Sequence, residues 1–158
     1  MISAKPAFSD YVFTVDKQQF KAVYNPWRAD LFTAGLSTGI PNIETYSVFP
    51  GFVVSMMKGK LGWLRSLMLN YVINWLPEGP SEKELKKGKT FVQTKASNSH
   101  ESATVSVEGP EAYVFTAECV WVLTNELLKG TKHTGFVTPS TFGSALIEGI
   151  DKVKIRIE

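Results

Sequence analysis

Residues 11–15 (Tyr-Val-Phe-Thr-Val) and 20–24 (Phe-Lys-Ala-Val-Tyr) are aromatic and β-branched runs. Asp16-Lys-Gln-Gln19 separates them, which predicts a β-hairpin. Asn25-Pro26 ends the second run, since proline has no N–H to give a strand ladder. A Gly-, Pro- and Thr-rich stretch over 33–42 leads into 43–49, whose alternation predicts a strand. Residues 51–58 predict a short helix, interrupted by Gly59 and Gly62. Residues 61–76 predict a longer helix, apolar almost all round and broken only by Arg65, Ser66, Asn70 and Asn74. Such a helix must be covered by something.

In the second half, Ser81 is placed to cap a helix, with Glu84 completing a capping box and Gly88 stopping it. Residues 91–95 and 103–107 flank a polar turn and predict a second hairpin, with Val105 and Val107 on one face. The strongest helical pattern runs over 111–129, between Pro110 and Gly130. Its core stripe is expected at Ala112, Thr116, Cys119, Leu123 and Leu127, with Val120 beside it. Val114 and Trp121 fall on the far side, flanked by Glu118 and Asn125. Thr138-Pro139 opens a further helical turn after the extended 135–139 segment, and 153–157 alternates as a last strand. No repeat or linker interrupts the pattern. The expectation is one α+β domain over 1–158, a mixed or antiparallel sheet packed by helices.

Composition narrows the function classes. The chain is 44% hydrophobic and 20% charged, in the globular range. A net charge of +2 gives no electrostatic motive for nucleic acid. The basic run over 83–89 reads as a solvated surface. Cys119 is the single cysteine, so no intrachain disulfide forms, which suits a cytoplasmic location. The start carries no apolar stretch of signal-peptide length, and Lys58, Lys60 and Arg65 interrupt the 49–76 region too often for a spanning helix.

The chemistry expected of a complete enzyme is missing. There is no Gly-x-Gly-x-x-Gly turn and no phosphate-binding Gly-x-x-x-x-Gly-Lys-Ser/Thr, so no cofactor is expected to bind this chain. His100, His133 and Cys119 are too few and too scattered for zinc. Both histidines read as surface side chains and Cys119 as a buried, inert thiol. Glu44 is the carboxylate of interest. It follows a Gly-Ile-Pro turn with Asn42 and Thr45 beside it, either facing water at a strand edge or aimed into a pocket.

Three segments together carry a resemblance: 27–46 (with Ser-Thr-Gly-Ile-Pro-Asn-Ile-Glu), 78–88, and 111–117 followed by Leu-Leu-Lys-Gly and Gly-Phe-Val-Thr-Pro over 127–143. In this order the chain resembles the carboxy-terminal half of saccharopine dehydrogenase-like oxidoreductases over roughly residues 25–150. The resemblance implies an α+β second domain like that of glyceraldehyde-3-phosphate dehydrogenases, which covers the nicotinamide, shapes the substrate pocket and often mediates dimerisation. It implies NAD(P) for the full-length enzyme, held by an amino-terminal Rossmann domain absent from this chain. It places Thr38, Gly39, Asn42, Glu44 and Tyr46 at the substrate pocket, and 135–143 on the way back to the cofactor domain. The expected partners are that Rossmann domain, a small-molecule substrate and a second copy in a homodimer. The homodimer also follows from the far side of the 111–129 helix, where Trp121 has no intramolecular partner. Two other readings rest on the apolar 61–76 helix with Trp63, Tyr71 and Trp75: a stand-alone module for an apolar or lipid-like ligand, and peripheral attachment to a membrane. The scarcity of polar residues on that helix argues against the latter.

Overall fold

A computed structural model describes residues 6–15, 17–59, 79–130 and 133–158. The helix expected over 61–76 lies outside them. The chain is α+β, with two small antiparallel sheets in place of one, and forms two compact units, Met1–Glu78 and Gly79–Glu158.

In the first unit, β1 (Asp10–Val15) pairs antiparallel with β2 (Gln18–Tyr24). Val15 stands opposite Gln18, so the turn takes two residues, not the expected four. Lys17 carries a positive φ of 66°, the left-handed backbone a tight hairpin demands. Phe13 and Phe20 are cross-strand partners with rings stacked at 5.2 Å. The core gathers on the end of β2, where Ala22, Val23 and Tyr24 are buried with Val15 and Ala7.

Helix α1 (Asp30–Thr38) occupies much of the Gly/Thr-rich stretch. Its hydroxyls explain why the pattern reads as loop: Thr33, Ser37 and Thr38 turn back onto carbonyls of the preceding turn instead of breaking it. Gly39, at φ 67°, ends the helix with its N–H on the Gly35 carbonyl. Strand β3 is only Tyr46–Ser47, shorter than the alternation over 43–49 implies, and pairs with β2. Helix α2 (Gly51–Met57) follows as expected. Lys58 at its end joins Lys21 on the Asp10 carboxylate of β1.

The second unit opens with α3 (Glu82–Lys87). Its capping box forms as the sequence implies, with the Ser81 hydroxyl accepting from the Glu84 N–H and the Glu84 carboxylate accepting from the Ser81 N–H. Then come β4 (Lys89–Ser97) and β5 (Ser102–Pro110), a nine-rung hairpin, and β6 (Lys154–Ile157) on the other edge of β5. Helix α4 (Ala112–Leu128) begins on Glu111, whose carboxylate accepts from the N–H groups of Tyr113 and Val114. Pro139–Phe142 forms a 3₁₀ turn capped at Thr138, and α5 (Ala145–Glu148) buries Leu146.

One expectation of facing is corrected, on α4. On β5 Val105 and Val107 share a face as expected, and Ser106 and Glu108, on the other face, are its most covered side chains. The central strand lies between two flanking strands, and Gln93 and Lys89 of β4 hydrogen-bond across to Ser106 and Glu108. On α4 the covered side is turned toward Phe115, Cys119, Val122 and Leu123, while Ala112, Thr116, Val120 and Leu127 are exposed and Val114 is half-buried. Phe115 lies where a side chain on Gly109 would point, so the bulkier residue goes to the sheet.

Gly88 is required for its size. Its φ of −64° suits any residue. A Cβ there, however, would sit 2.6 Å from the Glu84 carbonyl oxygen and 2.8 Å from Cγ of Glu111. Gly88→Ala is therefore expected to lower the urea midpoint by the equivalent of about 1–3 kcal/mol, the usual cost of overpacking. An unchanged midpoint would mean that the Glu111 cap yields freely.

The capping box also makes a pH prediction. The hydroxyl and then the backbone N–H of Ser81 hold the Glu84 carboxyl below its ordinary value. With a lowered folded value, its support of α3 is present above the ordinary carboxylate range and is lost as pH falls through the lowered value. Ser81→Ala should move the Glu84 titration, followed by carbon-detected NMR, upward toward that of a free glutamate.

Candidate functional site

The first unit places its polar groups by way of Asn25. Its N–H donates to the Thr45 carbonyl at 2.8 Å, and its carbonyl accepts from the Thr45 hydroxyl at 2.5 Å. Its side-chain amide donates to the Ser47 hydroxyl at 3.0 Å and accepts from the Trp27 N–H at 3.2 Å. The segment carrying Glu44 and Tyr46 is thus laced to the end of β2 although its strand has only two residues.

On that segment the Tyr46 hydroxyl donates to the Glu44 carboxylate at 2.7 Å and lies 3.3 Å from the Ser9 hydroxyl. A phenol has one proton, and Glu44 takes it, so Ser9 is the donor to Tyr46. The chain of hydroxyls runs Ser9 to Tyr46 to Glu44, ending on an exposed carboxylate. Tyr11 and Tyr24 set their rings against Tyr46 at 5.4 and 6.0 Å. The Ser9 hydrogen bond pulls the Tyr46 phenol down. Burial, the Glu44 hydrogen bond and charge, and Tyr24 together outweigh it and push the phenol above its ordinary value. Tyr46 therefore stays protonated near neutral pH, a donor held on a carboxylate.

Of the residues singled out in the sequence, the structure brings Glu44 and Tyr46 together. Thr38 and Gly39 serve the end of α1: the Thr38 hydroxyl donates to the Ala34 carbonyl and accepts from the Ile40 N–H. Asn42 is exposed. Ser9, Tyr11, Tyr24 and Asn25 were not legible as site residues, because each lies on or beside the hairpin and meets 44–47 only through strand pairing. The Asn25-Pro26 break was the available signal: an Asx side chain before a turn commonly bonds nearby backbone.

Elsewhere the chemistry is structural. Glu108 is 5% exposed and accepts from the ammonium of the exposed Lys89 at 2.6 Å, an ion pair across β4 and β5 with only its carboxylate end covered. Burial, and then the Glu118 charge, push the Cys119 thiol above its ordinary value, away from nucleophilic use. His100 sits in the β4–β5 turn, with its N–H and that of Glu101 on the Asn98 side chain. His133 packs its ring against Phe142. A depression lined by Ser81, Lys83, Glu84, Lys87 and Gly88 gathers no buried residue. Among the described residues no group of three or more His, Cys, Asp or Glu side chains could hold a metal ion, and no helix is long and apolar enough to cross a membrane.

The hydroxyl chain predicts two opposite shifts. Glu44→Gln removes a charge that raises the Tyr46 phenol, so Tyr46 should titrate at lower pH. Ser9→Ala removes the donor that lowers it, so Tyr46 should titrate higher. NMR of ring-labelled tyrosine reads both. Shifts of the same sign in the two variants would break the assigned direction of the chain.

Compared with known proteins, the chain matches no family model, no curated protein and no solved structure.

Proposed function

We propose that this chain is the carboxy-terminal substrate-binding and dimerisation domain of a saccharopine dehydrogenase-like NAD(P)-dependent oxidoreductase, working in the cytoplasm and inactive alone. The observation that carries the reading is the Ser9–Tyr46–Glu44 chain, on the segment that the resemblance assigns to the substrate pocket. An exposed carboxylate held by a phenol, whose ring packs on two further tyrosines, suits a small substrate with a hydrogen-bond donor or a cationic group beside an apolar portion. Hydride chemistry belongs to the nicotinamide bound by the Rossmann domain. This chain's share is to orient the substrate and keep water from it.

Two measurements test this. The isolated chain should bind NADH or NADPH no tighter than about 100 μM, roughly −5.5 kcal/mol, for want of a phosphate-cradling turn. In the chain joined to its cofactor domain, Glu44→Gln should lower kcat/KM by about 1–3 kcal/mol in transition-state terms while NADH binding is unchanged. Tight nicotinamide binding by the isolated chain, or unaltered turnover by the variant, would overturn the proposal.

A second reading, a stand-alone module for an apolar ligand, draws support from the first unit. Trp27, Phe32, Leu36 and Phe52 leave most of their surface open there. Displacement of a fluorescent fatty acid by the isolated chain, with no effect of Glu44→Gln, would favour it.

A further inference from the structure

Register places Tyr11, Tyr24 and Tyr46 on one face of the first sheet. Tyr11 stands opposite Ala22 and Tyr46 opposite Tyr24, and Ala22 and Tyr24 are two residues apart on β2. The rings of Tyr11 and Tyr46, from strands on either side of β2, come within 5.4 Å of each other. The small Ala22, 0% exposed, stands on β2 between them. Tyr11 keeps 39% of its surface open, and the Tyr46 hydroxyl holds the exposed Glu44 carboxylate beside this ring pair.

The charges here do not balance. Among the described residues of the first unit, the other carboxylates meet cations: Asp10 has Lys21 and Lys58, and Asp30 has Arg28. Glu44 meets a phenol, which has no charge to offer it. Asp10 and Lys21 belong to the reverse face of the sheet, since they alternate with Tyr11 and Ala22. Lys17 lies in the β1–β2 turn, at the end of the hairpin away from Tyr24. Oε2 of Glu44 takes the Tyr46 proton, and no hydrogen bond among the described residues occupies Oε1.

A neutral donor would satisfy Oε1 and leave the charge as it was. A cationic donor does both, and the faces of tyrosine rings attract positive charge as well. We propose that Glu44 and the Tyr11–Tyr46 ring pair form a site for an organic cation, an alkylammonium ion whose nitrogen donates to Oε1 and whose hydrocarbon stem lies on the rings. This narrows the substrate half of the reading above and rests on it for the cation's part in turnover. The site is open to water, so a small amine binds modestly, with a dissociation constant of ~1–50 mM.

n-Butylammonium chloride, titrated into the whole chain at constant ionic strength, should shift the ring-labelled NMR signals of Tyr11 and Tyr46 along one saturating curve. n-Butanol, which has the stem and a donor but no charge, should bind at least about fivefold more weakly. Read at Tyr46, Glu44→Gln should weaken n-butylammonium about fivefold and Tyr11→Leu about threefold. Tyr11→Phe, which keeps the ring, and Glu101→Gln, an exposed carboxylate of the second unit, should leave it unchanged. Equal binding of n-butanol, indifference to Glu44→Gln or to Tyr11→Leu, or no saturation by about 200 mM would overturn the proposal. Should the amine fail to bind while Glu44→Gln still slows the joined enzyme, the cation falls and the substrate reading stands. Amine binding with unaltered turnover does the reverse.

Discussion

Pro26 forbids β2 to run on, and the residue before it must dispose of its backbone and amide groups where almost no water reaches. Asn25, 6% exposed, does so by using its N–H, its carbonyl and both ends of its side chain on Thr45, Ser47 and Trp27. Each such group left unmet in the interior would cost about 1–3 kcal/mol. The two-residue strand β3 would be too short to hold a register by ladder bonds alone. Its position, and with it that of Glu44 and Tyr46, is inherited from one asparagine.

The second unit solves a comparable problem by size. Helix α3 must end within contact of the residue that caps α4, and only a residue without a side chain fits between the Glu84 carbonyl and the Glu111 side chain. One glycine thus couples the stop of one helix to the start of another. The neighbouring hairpin hides the polar Ser106 and Glu108 on its central strand under side chains from β4.

How much of this the sequence discloses depends on how far each cause reaches along the chain. The Ser81–Glu84 box, the Gly59 break and the Gly130 stop lie within a turn of their effects and are legible. Helix α1 is obscured because Thr33, Ser37 and Thr38 have the composition of a loop, whereas their hydroxyls are satisfied inside the helix. The facing of α4 and β5 depends on partners outside the local pattern: Phe115, not Thr116, lies over Gly109 of the sheet, and Gln93, thirteen residues before Ser106, lies opposite it. In the site, Glu44 and Tyr46 are readable as polar groups after a Gly-Ile-Pro turn. Ser9 and Asn25 join them only once β1, β2 and β3 are in register.

The unequal loops of the second sheet set the order in which its parts come loose. Four residues close β4 onto β5, whereas β6 is returned to β5 by the whole of residues 111–153. A loop some ten times longer costs about 2 kcal/mol more to close if it is treated as flexible chain. The strand at its end has four residues and an open edge. Such a strand detaches with far less free energy than the hairpin it leans on. Amide exchange over 154–157 would then report opening of that edge alone, while the nine rungs of the hairpin stay closed.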